Sequence, residues 1–247
     1  MPSGTGSLTP GSLTSGSLTP GSPWAPVTAA TPRWRDQRPL TRAVVVLFGV
    51  AGAAALLRAL ALATRLVALD DPRASDFAAR ARSADSFVNT TDTVLGVAVL
   101  VLAPCFVVWL WRAAKNQQAL GRQPERLSSG WAIGGWFIPL ANFAIPVLVV
   151  QDLWRGSDAA IAAGDPRWRI AERSWLVGWW WGLFLVPLLV ASGTDADRLR
   201  QNLSEARGTN FLALIAMVLL FASTVLGSLV VSQLRTRQEA CRAALAR

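Results

Sequence analysis

The chain contains no histidine and no tyrosine, a single lysine, Lys115, and only two cysteines, Cys105 and Cys241. Without histidine, imidazole acid–base catalysis and imidazole metal ligation are excluded. One cysteine sits inside an apolar run and the other near the C-terminus, so neither a disulfide framework nor a paired-thiol metal site is on offer. Charge is scarce as well. Only 16% of residues are Asp, Glu, Lys or Arg, against roughly 25% in an average soluble domain, and residues 127–151 carry none at all. No metal and no cofactor is expected.

What the chain has in quantity is apolar and basic. Hydrophobic residues make up 52% of it and the mean hydropathy is +0.37, while 23 arginines bring the net charge to +9. In a soluble protein such a balance fits nucleic-acid binding. Here the arginines flank apolar runs instead of forming one basic face, which is how charge orients a protein in a bilayer. Nucleic acid is therefore not an expected partner.

Residues 1–32 form a Gly/Ser/Thr/Pro-rich segment in which GSLTP, GSLTS and GSLTP begin at Gly6, Gly11 and Gly16. It has too little apolar surface to offset its ordering entropy and lacks the apolar core of a signal peptide, so it reads as a disordered tail. The rest, residues 33–247, reads as one membrane domain. A collar of Arg33, Arg35, Arg38 and Arg42 precedes a first span at about residues 43–63; twenty helical residues cover about 30 Å, the hydrocarbon thickness. Arg58, near the far end of that span, is expected to snorkel to the interface, the alternative being a buried pair with Asp92. Residues 65–92 read as a polar, mixed-charge loop. A second span at 93–111 is expected to continue as a helix through Arg112, Lys115 and Asn116, with Trp109, Arg112 and Asn116 on one face. Later spans fall at about 175–192 and 211–231, and a basic helical tail begins at Ser232. Trp179, Trp180 and Trp181 are expected to pack and anchor.

The uncharged stretch 127–151 is long enough to cross, but Gly134, Gly135, Pro139, Asn142 and Pro146 are poor material for one straight helix. A helix is expected from Pro146 to Ala163, stopped by Gly164 and Pro166, with Asp152, Arg155 and Asp158 along it at three-residue steps. Arginine placement tests whether the stretch crosses. With a cytoplasmic N-terminus and no crossing, 16 Lys/Arg lie inside and 7 outside. With a crossing the division is 11 against 12 and the positive-inside bias vanishes. The expected fold is therefore an all-α, polytopic bundle of four spans with both termini cytoplasmic, plus a re-entrant or interfacial broken-helix segment at 131–150.

Two passages, WLWRAAKNQQALG from Trp109 and SSGWAIGGWFIPLANFAIPVLVVQDLWRGSD ending at Asp158, carry a family resemblance. The motif positions are Trp109, Arg112, Ala113, Asn116, Gly130, Trp131, Gly135, Trp136, Phe137, Pro139, Asn142, Pro146, Leu153, Trp154, Arg155 and Ser157. This region resembles the bacterial membrane-protein family called domain of unknown function 4328. The resemblance implies a multi-pass protein of the bacterial cytoplasmic membrane and no particular activity. One departure is Val147, where the family often places a tyrosine.

The candidate ligand or partner site comprises Arg112, Asn116, Trp131, Trp136, Pro139, Asn142, Pro146, Asp152, Trp154, Arg155 and Asp158. Freed carbonyls, half-helix ends and Asn142 can line a polar pocket in an apolar setting, against the simpler reading that tryptophans and prolines wedge a hairpin onto the bundle. Arg112 and Arg155 are placed to pair with Asp152 or Asp158 at the surface, or to hold lipid phosphate. The expected function is a non-enzymatic scaffold, assembly or sensor module. The alternative is a small-solute transporter or channel component acting as an oligomer, and an intramembrane enzyme using Asp152 and Asp158 is less favoured. Expected partners are the lipid bilayer, a cytosolic or membrane protein, and a second copy of the chain.

Overall fold

The computed structural model describes residues 33–122, 125–197 and 203–246; the expected tail at residues 1–32 lies outside them. The described residues are all-helical: α1 Arg38–Ala68, α2 Phe77–Ala119, the single turn α3 Trp131–Gly134, α4 Ala141–Gly156, α5 Trp175–Asp197 and α6 Leu203–Leu245, with a 3₁₀ turn at Pro166–Ile170 before α5.

Helix α1 shows what kind of solvent these elements meet. Val44, Phe48, Ala51, Ala55, Ala59 and Leu62 recur at three- and four-residue steps and are buried, yet the opposite face presents Val46, Val50, Leu57 and Leu60. A helix apolar on both faces has no stripe for water and belongs in hydrocarbon. The same holds for α2, where Leu100 is 73% exposed while Leu102 and Phe106 are buried. Three helices, α1, α2 and α6, are long and apolar enough to cross a membrane. In α5 the apolar stretch Trp175–Val190 is shorter.

Helix α1 lies against both α2 and α6, and α6 against both α1 and α5. Small residues allow this, as they do wherever lipid removes the hydrophobic drive between helices. At Gly227 of α6 a Cβ would come within 2.7 Å of the Phe48 ring and 2.8 Å of Trp180 Nε1. Helices α2 and α5 meet through large rings, Phe106 and Trp180 lying 5.7 Å apart. The broken segment closes that side, for α3 and α4 touch α2, and α4 touches α5. Trp136 of the segment stands edge-on to Phe106 and to Trp181.

The four stretches expected to span fall within α1, α2, α5 and α6, and α2 and α6 run on as helix beyond them at the arginine-rich end. Three expectations change. Residues 77–92 are the first turns of α2 and not a loop; Ala-rich sequence such as 77–86 continues a helix once a span has nucleated it. Helix α4 begins at Ala141, before Pro146, and ends at Gly156, well short of Ala163. Pro146 is tolerated near the helix start, where Trp181 Nε1 donates to the neighbouring Phe143 carbonyl at 2.8 Å. The early stop follows from Ser157, whose hydroxyl bonds back to the Leu153 carbonyl at 2.6 Å; Asp158 therefore lies beyond the helix. Finally, Arg58 is paired with Asp92, the arrangement set beside snorkelling.

Candidate functional site

Part of the candidate set lies at the end of the bundle where α1 starts and α2, α4 and α6 finish, and there buried polar side chains fasten one backbone to another. Asn116 is fully buried and grips Arg35 from both sides: its Oδ1 accepts from the Arg35 amide at 2.8 Å and its Nδ2 donates to the Arg35 carbonyl at 2.9 Å. Gln151 makes the same reciprocal pair with the Ser174 carbonyl and amide, at 2.7 and 2.9 Å. Gln117 donates to the Asp152 carbonyl, Gln238 to that of Ala113, and Trp109 Nε1 to the Thr41 hydroxyl. Arg35 lies over the Trp111 ring and Arg242 over that of Trp34, contacts that hold cations onto indole faces.

The centre of this belt is Arg122, a fully buried residue. The chain turns into it at Gly121, whose φ of 71° favours glycine and whose place a Cβ would crowd against Ala163. Its Nε donates to the Gly156 carbonyl at 2.8 Å, one terminal nitrogen to Ala162, and the other to Asp158 and Ile161 at 2.9 and 2.7 Å. Cys241 Sγ lies 3.3 Å from that last nitrogen. The last carbonyl of α4 and three from the loop after it thus converge on one guanidinium.

Helix α4 also positions a cluster of charge. Arg155 is 8% exposed and approaches Asp152 at 3.7 Å, while Arg126 approaches the same carboxyl at 3.9 Å. Asp152 and Arg155 are thus largely withdrawn from solvent, with Arg126 half-exposed at the rim, and are not the solvated surface pair expected. Burial pushes the Asp152 carboxyl above its usual range, the neighbouring arginines offsetting only part of the rise. By contrast, Asp165 is held below it by hydrogen bonds from Arg167. Arg112 has no ion-pair partner among the described residues, and its Nε is buried without a hydrogen bond.

A family model described as Domain of unknown function (DUF4328) matches residues 71–236. The chain belongs to this family. No curated protein and no solved structure matches it. The DUF4328 region runs from just before α2 almost to Arg237, so it contains Asn116, Arg122 and Gln151, whereas the Arg35 and Thr41 groups they or their neighbours hold lie outside it.

Within the DUF4328 region the candidate residues separate. Asn116, Trp136 and Pro146 are engaged in packing or clamping. Trp131 and Pro139 are exposed on the hairpin, and Asn142 is half-buried beside them. The turn before α4 exposes Leu140, at φ 65°. Trp154, Arg155 and Asp158 do share a pocket, a groove of about 830 Å³ bordered by α4, the 3₁₀ turn, the start of α5 and one face of α6. Its other charged walls are Arg167, Glu172, Arg173 and Arg237. Sequence reading passed over Arg122, Arg173 and Arg237 because each counted only as an orientation charge; the Gly121 turn signal directly before Arg122 was the available hint.

A second cavity, about 120 Å³, lies deeper, between Phe48, Phe106, Trp136, Trp180, Trp181 and Phe184. The only hydroxyls lining it, Ser223 and Thr224, are already donated to the carbonyls of Trp180 and Phe221.

Proposed function

We propose that this DUF4328 chain is a four-span, non-enzymatic scaffold or assembly module of the bacterial cytoplasmic membrane, with both termini and the fastened belt on the cytoplasmic side. The observation that carries the reading is that belt. Asn116, Gln151, Gln238 and Arg122 spend their polar groups on binding the chain's own backbone, which produces a rigid platform and leaves those groups no part in turnover. In this reading α5 is the fourth span, and α3 with α4 is an interfacial or re-entrant hairpin; α4 alone, at 16 residues, reaches only about 24 Å. The positive-inside bias supports that topology. The apolar lining of the deep cavity argues against a path for polar solutes, since it offers them no hydrogen-bond partner.

Two measurements test the proposal. A reporter active only outside the cytoplasm, fused after Leu245, is expected to stay silent; activity overturns the topology. Full-length protein purified in mild detergent is expected to bring down defined stoichiometric partners that are lost when residues 1–32 are deleted while membrane insertion persists. Partners unchanged by the deletion remove the tail from the scaffold role.

A further inference from the structure

The groove beside α4 combines features that no internal fastening explains. Along α6 its wall is Leu226, Leu229, Gln233 and Arg237, one helical face that passes from apolar to cationic over eleven residues, about 16 Å. Across from it, Ile170 at the end of the 3₁₀ turn is 84% exposed and Trp175 at the start of α5 is 74% exposed, where an amphipathic ring suits the headgroup level. The charged upper end holds Arg155, Arg167, Arg173 and Arg237 against Asp158 and Glu172. Arg167 is already engaged by Asp165. The Nε atoms of Arg155 and of Arg237 are buried and have no hydrogen-bond partner; Arg155 is 8% exposed, and Arg237 is held over the Trp154 ring at 4.6 Å. Buried guanidinium N–H groups left without an acceptor carry a cost that an incoming oxyanion removes.

We infer that this groove is a binding site for one anionic phospholipid, its phosphate received by Arg155 and Arg237 with Arg173 at the rim, and its upper acyl chains laid along Leu226, Leu229 and Trp175. The apolar floor is what selects a lipid over a soluble phosphate: a small anion satisfies the arginines but leaves the lower half of the groove uncovered. Basic pockets between helices at the cytoplasmic face recognise headgroups in this manner. The site depends on the membrane reading of the chain and not on the scaffold role, so a groove that takes no lipid leaves the partner measurement untouched, and the reverse.

The test is native mass spectrometry of the full-length chain, stripped of lipid in mild detergent and titrated with phosphatidylglycerol or with phosphatidylcholine of the same acyl chains. Wild type is expected to bind one phosphatidylglycerol about tenfold more tightly than phosphatidylcholine, and Arg237→Gln is expected to remove most of that preference. Because Arg155→Gln changes a buried residue and risks the fold, Arg173→Gln, at an exposed position, provides the second variant and is expected to weaken phosphatidylglycerol severalfold without changing phosphatidylcholine. Equal affinity for the two lipids in wild type, or an Arg173→Gln/Arg237→Gln double variant that keeps the preference, overturns the site. Displacement of the bound lipid by equimolar glycerol phosphate overturns the lipid assignment.

Discussion

Replacing Arg122 by methionine removes the guanidinium on which the Gly156, Asp158, Ile161 and Ala162 carbonyls converge, while keeping a side chain of similar length. Each hydrogen bond from a charged donor is worth about 1.5–3 kcal/mol, but burying the guanidinium costs several kcal/mol in return. The net expected loss is about 3 kcal/mol, the scale seen when one partner of a buried charged network is deleted. For a domain of this size each kcal/mol moves Tm by about 2–4 °C, so Arg122→Met is expected to unfold roughly 6–12 °C below wild type. Thermal unfolding in detergent, followed by intrinsic tryptophan fluorescence, measures it. Damage should also be local: the segment 157–165 loses its anchor and is expected to become the first site of limited proteolysis. Arg122→Lys keeps the charge but has only three donors, and is expected to fall between the two. An unchanged Tm with an unchanged cleavage pattern refutes the claim that this cage holds the end of α4 to α2.

Three further outcomes follow from the same geometry. Asn116→Ala, which leaves the Arg35 amide and carbonyl without partners, is expected to cost about 2 kcal/mol and to speed hydrogen exchange at Arg35; unaltered exchange there shows that the clamp is not needed. Gly227→Val forces a branched side chain against Phe48 and Trp180 and is expected to destabilise by about 2–3 kcal/mol, read as a lower Tm and a looser association of α6 with α1 in cysteine cross-linking. Asp152 carries a pH signature. Its folded-state carboxyl titrates above its unfolded value because burial disfavours the charge, so its stabilising contribution is full below the unfolded pKa and is lost as pH rises through the raised folded one. Asp152→Asn is accordingly expected to flatten that part of the Tm–pH curve, and an unchanged slope contradicts the assigned direction.

The sequence revealed what depends on local pattern and hid what depends on distant partners. The apolar runs of α1, α2 and α6 were visible because hydrocarbon imposes length and uncharged composition on any segment that crosses it. Pro139 and Pro146 announced a break, since proline removes backbone donors wherever it stands. The place where α4 starts did not show, and the bond that Trp181 gives to its Phe143 carbonyl comes from a helix begun much later in the chain. Asn116 was singled out, but as a ligand-site residue; its occupant is Arg35, 81 positions away. Apart from the glycine before Arg122, Arg122 and Arg237 resembled other basic residues near span ends. One turned out to face four carbonyls and the other an open groove, a difference that only the packing of α4 against α2 and α6 creates.

Helix α6 is 43 residues long, about 65 Å, or roughly twice the thickness of the bilayer interior. Leu234, Gln238 and Cys241, well past the end of its apolar stretch, are buried against the rest of the protein. The rod is therefore packed against its neighbours along both halves. A cargo domain joined in helical register to its last turn would take its bearing from the bundle rather than from a hinge.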